Sequence, residues 1–125
     1  MTKKQAVFSP SLPPPLAPYS HAIVSGNLIF VSGQLGLDSA GRLAPTTMEQ
    51  TEQALNNVER VLAEAGATMS DVVKVTVLLA DINDFAAVNE VYGRHFAEPE
   101  PARSAFAVAA LPRGAKIEIE VIAAR

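Results

Sequence analysis

The chain has 125 residues, which predicts one domain with one sizeable core, and its formal net charge is −3. Only 18% of its residues are charged, against an average of about 25%, and its longest basic run is Lys3-Lys4. This composition argues against nucleic-acid and membrane-surface binding, and the absence of cysteine excludes disulfides, thiolate metal sites and cysteine nucleophiles.

The first part of the chain predicts an extended arm. Residues 9–18 contain five prolines, which leave the backbone little freedom to form a helix. No long apolar run follows the two lysines, so we expect no secretory signal, no membrane span and a cytoplasmic location.

A β-hairpin and a helix follow the arm. Residues 22–25 and 28–32 are rich in β-forming residues and flank a Gly-Asn pair, a strong hairpin signal; we expect Gly33 to end the second strand. After a loop over residues 36–45, either Thr47 with Gln50 or Thr46 with Glu49 offers a capping box. Apolar residues then recur at helical spacing up to Gly66: Leu55, Val58, Leu62 and Ala65.

The second half of the chain predicts a strand, a helix and two more strands. Residues 71–80 alternate as a strand does, and Asn83 can cap a helix that ends before the prolines at 99 and 101. The apolar stripe of this helix comprises Phe85, Val88, Tyr92 and Phe96. Closing strands are expected at residues 104–111 and 116–123, with turn residues at 112–114.

The predicted order is therefore ββαβαββ, an α+β fold with a five- or six-stranded sheet. Two helices cannot cover both faces of such a sheet, so we expect both on one face. The other face would carry apolar and small residues such as Leu78 and Ala107 or Ala109. A ring of subunits whose bare sheet faces meet at the centre would cover it and would explain the low charge fraction.

Five segments resemble, in order, motifs of the RidA (YjgF, L-PSP) family. They are Pro18-Tyr19-Ser20, Val31-Ser32-Gly33-Gln34, residues 83–89, Pro101-Ala102-Arg103-Ser104 and residues 111–120. The resemblance runs from about Phe8 to Ala124. Each motif alone is weak evidence, but five in register are highly specific.

The resemblance implies a chorismate-mutase-like fold, a mixed sheet with two helices on one face, in a trimeric, barrel-like assembly. Its sites would lie in clefts between subunits. It also implies hydrolysis of reactive enamines and imines, of the 2-iminobutanoate and 2-iminopropanoate type, to 2-oxo acids and ammonia. No cofactor and no metal are implied, and the expected partners are small 2-imino or 2-oxo carboxylates and two further copies of the chain.

Two residues carry the expected chemistry. Arg103 matches the family's carboxylate-binding arginine, and its planar fork can hold a carboxylate through two parallel bonds. Glu118 matches the glutamate that orients the hydrolytic water, and it can accept a proton if its pKa suits the operating pH. Without the resemblance, each would be read as an exposed surface charge, and Glu120 is expected to be structural.

Further substrate-binding residues are expected by the same resemblance at Tyr19, Ser32, Gly33 and Asn89. Tyr19 would form a pocket wall and donate a hydrogen bond, and backbone groups near Ser32 and Gly33 would approach the ligand. The alternative readings are an ordinary surface tyrosine, a strand terminus and an exposed helical asparagine. His21 stands close to Tyr19, where many relatives have glutamine. Both it and His95 are read as structural, and the alternative for His21 is a place beside the site.

The chain departs from well-characterised relatives at several positions: Gly36, Ala105, Ala107 and Ala110. Ala105 replaces a frequent cysteine, so catalysis cannot depend on a thiol there. These departures leave the preferred substrate open. A deaminase dedicated to one catabolic pathway, or a carboxylate-binding or chaperone-like protein without turnover, are the alternatives, while the family's older ribonuclease label suits the acidic composition least.

Overall fold

The computed structural model describes residues 3–125, so Met1 and Thr2 of the predicted domain lie outside the described residues. The strands are β1 (Gln5–Val7), β2 (Ala22–Ser25), β3 (Leu28–Leu35), β4 (Val72–Leu79), β5 (Ala102–Ala107) and β6 (Ile117–Ala124). The α-helices are α1 (Thr47–Glu64) and α2 (Phe85–Tyr92). The predicted α+β class is confirmed, and β1 is an addition that the sequence analysis missed because it has only three residues.

All six strands form one mixed sheet in the order β1-β2-β3-β6-β4-β5. Neighbouring strands are antiparallel except β4 and β5, which are parallel and are joined through α2. A parallel pair needs such a crossover connection because its strands run in the same direction. No helix within residues 3–125 is both long and apolar enough to cross a membrane.

The core lies between one face of the sheet and the two helices, as predicted. Alternation along β4 and β6 turns every second side chain towards the helices. The most deeply buried of these are Val75, Val77, Leu79, Ile117 and Ile119. They form one cluster with Leu55, Val58 and Leu62 of α1 and Val88 of α2. Burying side chains of this size contributes about 1.5–3 kcal/mol each relative to exposure, so the one-sided core holds the helices in place.

The other face of the sheet, here called the open face, has no cover within the described chain. Phe30 is 41% exposed and Phe106 is 48% exposed, and Leu78 lies between Phe106 and Glu118. The expectation for Leu78 is therefore correct. The expectation for Ala107 is wrong, since it pairs with the buried Leu79 and so lies on the helix side.

The sequence predicted the cap of α1 more accurately than the cap and the end of α2. Thr46 caps α1 by accepting a hydrogen bond from the Glu49 N–H, which selects one of the two predicted capping boxes. Asn83 does not cap α2, because the Asp81 carboxylate accepts from the Asn83 N–H and caps a 3₁₀ turn at Ile82–Asp84 instead. The helix ends at Tyr92, well before the prolines.

β5 begins and ends earlier than predicted. It spans Ala102–Ala107 because it pairs only with β4, whose last residue, Leu79, lies opposite Ala107. An edge strand has no second neighbour to hold further residues extended. The predicted turn at Pro112–Gly114 forms as a 3₁₀ turn, in which Arg113 adopts a left-handed φ of 61°.

Gly36 lies where β3 meets α1 at backbone contact. A Cβ at this position would stand 2.5 Å from Gln50 Cα and 2.7 Å from Gln50 O. Gln50 cannot withdraw easily, because its buried side chain donates to Ala44 O and accepts from the Lys116 N–H. The absence of a side chain at Gly36 therefore allows the close packing of α1 on the sheet.

We expect Gly36→Ala to lower the free energy of unfolding by about 1–3 kcal/mol, because the added methyl group overpacks this contact. The matched control is Gly93→Ala, where φ is −62° and the nearest atom to an added Cβ is 3.4 Å away. That change should leave stability unaltered or slightly raised. Urea unfolding measures both, and equal stability of the two variants would contradict the packing argument.

Candidate functional site

Arg103 is held rigidly at the sheet edge beside α2. It pairs with Val75 and therefore projects from the helix side of β5. Its Nη1 donates to Asn89 Oδ1 at 2.8 Å, and its Cζ lies 4.6 Å from the ring centroid of Tyr92 and 5.4 Å from that of Phe85. Stacking of a guanidinium on aromatic rings adds to the hydrogen bond in fixing its position.

No carboxylate neutralises Arg103 within residues 3–125, where the ion pairs are Arg42–Asp38, Arg94–Glu90 and His95–Glu52. The side chain borders a cavity of about 280 Å³, here called the arginine cavity. Its lining residues are Tyr92, Gly93, Phe96, Glu100, Pro101 and Arg103. A positioned, half-buried guanidinium facing a cavity is suited to bind an external carboxylate.

Tyr92 contributes a second polar group there. Its hydroxyl is buried and has no hydrogen-bond partner among the described residues. Burial raises the pKa of Tyr92, Arg103 opposes that rise and Glu100 adds to it, so the hydroxyl stays protonated at neutral pH. The sequence analysis assigned Phe85 and Tyr92 to the core stripe of α2. The helical spacing of Phe85 and Tyr92 with Asn89 is visible in the sequence. Their contact with Arg103 is not, because it depends on how β5 packs beside the helix.

Glu118 lies on the other side of the sheet. It pairs with Leu78 and alternates with the buried Ile117 and Ile119, so it belongs to the open face. The carboxylate is half-buried and packs against Gly33, where a Cβ would overlap Glu118 Oε2. Burial raises the pKa of Glu118, and the charge of Glu120 raises it further. A raised pKa brings a carboxylate closer to the range in which it can accept a proton at neutral pH.

Ser32 and Gly33 lie in a bulge of β3. Val31 pairs with Val121, but the next pair is Gln34 with Ile119, so β3 contains one residue more than β6 over this stretch. The expected strand end at Gly33 is therefore wrong: the strand continues past the bulge to Leu35. The Ser32 hydroxyl donates to Ser20 O at 2.7 Å and so fixes the chain next to Tyr19.

These residues line a larger cavity of about 520 Å³, here called the glutamate cavity. Glu118, Gly33, Ser32 and the half-exposed Tyr19 all border it. The proline arm supplies its apolar wall with Leu12, Pro13, Pro14, Leu16 and Ala17. His21 also lines it, in agreement with the alternative place beside the site, and so does Arg113, to which the sequence analysis gave no role.

The predicted site residues thus fall into two groups. Tyr19, Ser32, Gly33 and Glu118 meet in the glutamate cavity, and Asn89 meets Arg103 beside the arginine cavity. The two cavities share no lining residue, and the sheet separates Arg103 from Glu118. One chain therefore presents the Arg103 guanidinium and the Glu118 carboxylate on opposite faces of the sheet. Residues 3–125 contain no cluster of three side chains suited to a metal ion.

The raised pKa of Glu118 predicts how stability depends on pH. The folded state holds the proton more tightly than the unfolded chain does, so the ionised carboxylate costs stability as the pH rises through the folded pKa. We expect Glu118→Gln to be as stable as the wild type or slightly more stable at pH 8. The gain should vanish below the ordinary glutamate pKa of 4.5.

Urea unfolding at pH 4 and pH 8 measures this difference. Glu59→Gln, on the exposed side of α1, is the control for removing one carboxylate and should show no such gain. A loss of stability on Glu118→Gln at pH 8 would show that the charge is stabilised in the fold and would contradict the stated direction.

Comparison with known proteins agrees over nearly the whole chain. The sequence model of the family described as endoribonuclease L-PSP matches residues 10–125. A goat protein named 2-iminobutanoate/2-iminopropanoate deaminase is 48% identical over 96% of this chain and 89% of its own length.

Solved structures agree equally well. A putative endoribonuclease L-PSP from Entamoeba histolytica superposes with a TM-score of 0.95 at 45% identity, covering 98% of this chain and 100% of that chain. E. coli TdcF with bound serine superposes with a TM-score of 0.92 at 35% identity, covering 97% of this chain and 98% of that chain. The chain therefore belongs to the L-PSP family, the RidA (YjgF) family that its sequence motifs resemble.

Proposed function

We propose that this protein is an imine deaminase that hydrolyses short 2-imino acids, such as 2-iminobutanoate and 2-iminopropanoate, to 2-oxo acids and ammonia. The observation that carries the proposal is the Arg103 guanidinium, fixed by Asn89 and two aromatic rings and left without a carboxylate partner in the described chain. The goat relative's name supports the same reaction. A cytoplasmic location is part of the proposal.

We further propose that the working unit is a homotrimer with sites between subunits. A site that uses both Arg103 and Glu118 needs two copies of the chain, because the sheet separates these residues within one copy. Phe30 and Phe106 of the open face are also exposed, and another subunit packed on this face would bury them. A closed ring of three copies satisfies both requirements.

In this mechanism Arg103 of one chain binds the substrate carboxylate through its free N–H groups, and Tyr92 can donate from beside it. Glu118 of the adjacent chain holds a water molecule near the C2 carbon of the substrate. Tyr19 and the bulge at Gly33 lie next to the imine nitrogen. E. coli TdcF has bound serine, a ligand that also carries a carboxylate with a nitrogen on the neighbouring carbon, and this supports a small ligand of the same chemistry for this protein.

The reaction then needs only water and proton transfers. Glu118 accepts a proton as the water oxygen bonds to C2 and returns that proton to the imine nitrogen, which gives a carbinolamine. The hydroxyl proton then passes to the amine nitrogen, the C=O bond forms as the C–N bond breaks, and ammonia and the 2-oxo acid leave with Glu118 ionised again. Positioning and proton transfer supply the acceleration.

The ribonuclease names in this family have less support here. The net charge is −3 and the longest basic run is Lys3-Lys4, so the chain lacks the positive charge that nucleic-acid binding relies on. Binding without turnover would use Arg103 equally well, so a direct activity measurement separates it from the proposed reaction.

We expect the protein to accelerate the loss of 2-iminobutanoate generated by an amino-acid oxidase, measured by semicarbazide trapping against buffer. Arg103→Ala should raise KM roughly 10- to 150-fold, the equivalent of losing a charge-assisted bond worth about 1.5–3 kcal/mol. The KM of Arg103→Lys should fall between those of the wild type and Arg103→Ala, because lysine keeps the positive charge but lacks the planar guanidinium that binds a carboxylate through two bonds. Arg94→Lys, on an exposed residue paired with Glu90, is the control. Full activity in Arg103→Ala would overturn the carboxylate assignment.

Co-expression of two impaired variants, assayed at a substrate concentration near the wild-type KM or below it, tests the shared site. Arg103→Ala and Glu118→Gln chains carrying different tags are purified together as mixed oligomers. If each site takes Arg103 from one chain and Glu118 from the next, random mixing restores about a quarter of the wild-type activity. A site contained within one chain would give no recovery, and a monomer in solution scattering would contradict the trimer.

A further inference from the structure

His21 is a buried histidine whose two ring nitrogens are both engaged. It lies immediately before β2 and is 4% exposed. Its Nδ1 accepts a hydrogen bond from the Ser9 N–H at 2.9 Å, and its Nε2 lies 3.0 Å from Pro13 O. A carbonyl oxygen can only accept, so Nε2 carries the proton and Nδ1 does not. The two contacts together require the neutral ring with its proton on Nε2.

Both hydrogen-bond partners belong to the proline arm, the extended segment of residues 9–18. The other hydrogen bonds of the arm in the described chain are local along the sequence and join Ser9 to Leu12, Ser9 to Ser11, and Ala17 to Tyr19. Prolines have no N–H, so the arm cannot be held by a strand ladder. His21 therefore makes the hydrogen bonds that tie the arm to the sheet, and the Phe8 ring packs on it at 5.5 Å between centroids.

The anchored segment is also the apolar wall of the glutamate cavity. Pro13, which accepts from His21, borders that cavity together with Leu12 and Pro14, and Tyr19 follows the end of the arm. The position of this wall relative to Glu118 thus depends on two hydrogen bonds at one ring.

We propose that His21 is a positioning residue for the deaminase site, which holds the proline arm against the sheet in its neutral form and thereby sets substrate affinity. This inference rests on the proposed function. Loss of the Nδ1 acceptor or of the Nε2 donor leaves the Ser9 N–H or the Pro13 carbonyl without its partner and frees the arm. The effect falls on KM more than on kcat, because the ring contacts backbone groups and not the catalytic carboxylate.

The ionisable groups that border the glutamate cavity do not contact the His21 ring. From the elements around the cavity these are Tyr19 at the end of the arm, Arg113 in the turn before β6 and Glu118 on β6. None of them forms a hydrogen bond or ion pair with the His21 ring in the described chain. From β3, only the Ser32 N–H bonds to His21, and it bonds to the backbone carbonyl.

The test uses two substitutions at His21. His21→Gln keeps one acceptor for the Ser9 N–H and one donor for Pro13 O. His21→Leu keeps an apolar side chain and removes both bonds. His95→Gln is the matched control, since His95 pairs with Glu52 and lines neither cavity.

KM and kcat for 2-iminobutanoate are measured at pH 7. We expect His21→Leu to raise KM roughly tenfold, as two lost hydrogen bonds would, with kcat within about twofold of the wild type. His21→Gln should keep KM close to the wild-type value, because it keeps both contacts, and His95→Gln should match the wild type. An unchanged KM in His21→Leu, or the same rise in KM in His21→Gln as in His21→Leu, would overturn the proposal.

Hydrogen exchange of the Ser9 amide gives a readout that does not depend on turnover. Protection is expected in the wild type and in His21→Gln, with loss of protection in His21→Leu. An inactive wild type with this exchange pattern would refute the proposed reaction and leave the anchoring role supported. Equal protection in all three proteins would refute the anchoring role itself, whether or not the enzyme is active.

Discussion

The alternation of side chains across a sheet with helices on only one face determines how this protein can work. Arg103 pairs with the buried Val75, and Glu118 pairs with Leu78 of the open face, so the two groups project in opposite directions. No rotation of either side chain brings them together through a packed core. Any chemistry that uses both groups therefore requires assembly, and the same one-sided core leaves the open face available for it.

Arg103 and Glu118 are each held in a state that favours interaction with an external ligand. Arg103 is positioned by Asn89 and by two aromatic rings, yet no carboxylate in the described chain neutralises it. Glu118 is half-buried beside Gly33 and repelled by Glu120, which disfavours its ionised form. In the proposed reaction a 2-imino acid would supply what each group lacks, since its carboxylate would pair with the Arg103 guanidinium and its hydrolysis would deliver a proton to the Glu118 carboxylate.

Backbone irregularities shape the cavity around Glu118. The bulge at Ser32 and Gly33 removes side chains from the place where the carboxylate packs, and the prolines keep the arm extended along the opposite wall. Neither feature is stabilised by a regular hydrogen-bond ladder. Side chains replace that ladder: Ser32 bonds to Ser20 O and His21 bonds to the arm, which explains why buried polar residues occur at this end of the sheet.

The sequence alone determined the elements whose signals are local. The start of α1, for which the sequence offered two capping boxes one residue apart, depends on neighbours a few residues away, as do the Gly-Asn hairpin and the alternating strands at 72–79 and 117–124. These predictions were correct to within a residue or two. Short motifs also identified the family and the candidate residues. Elements whose limits depend on partners distant in sequence were missed or misplaced, as with β1, the end of β5 and the continuation of β3 through its bulge.

The grouping of the site residues was decided only by the tertiary structure. Arg103 meets Tyr92 because β5 packs beside α2, and His21 meets Ser9 and Pro13 because the arm folds back over β2. Such contacts join residues whose separation along the chain carries no periodic signal. Sequence patterns report which face of its own element a side chain occupies, whereas the order of strands in the sheet determines which faces meet.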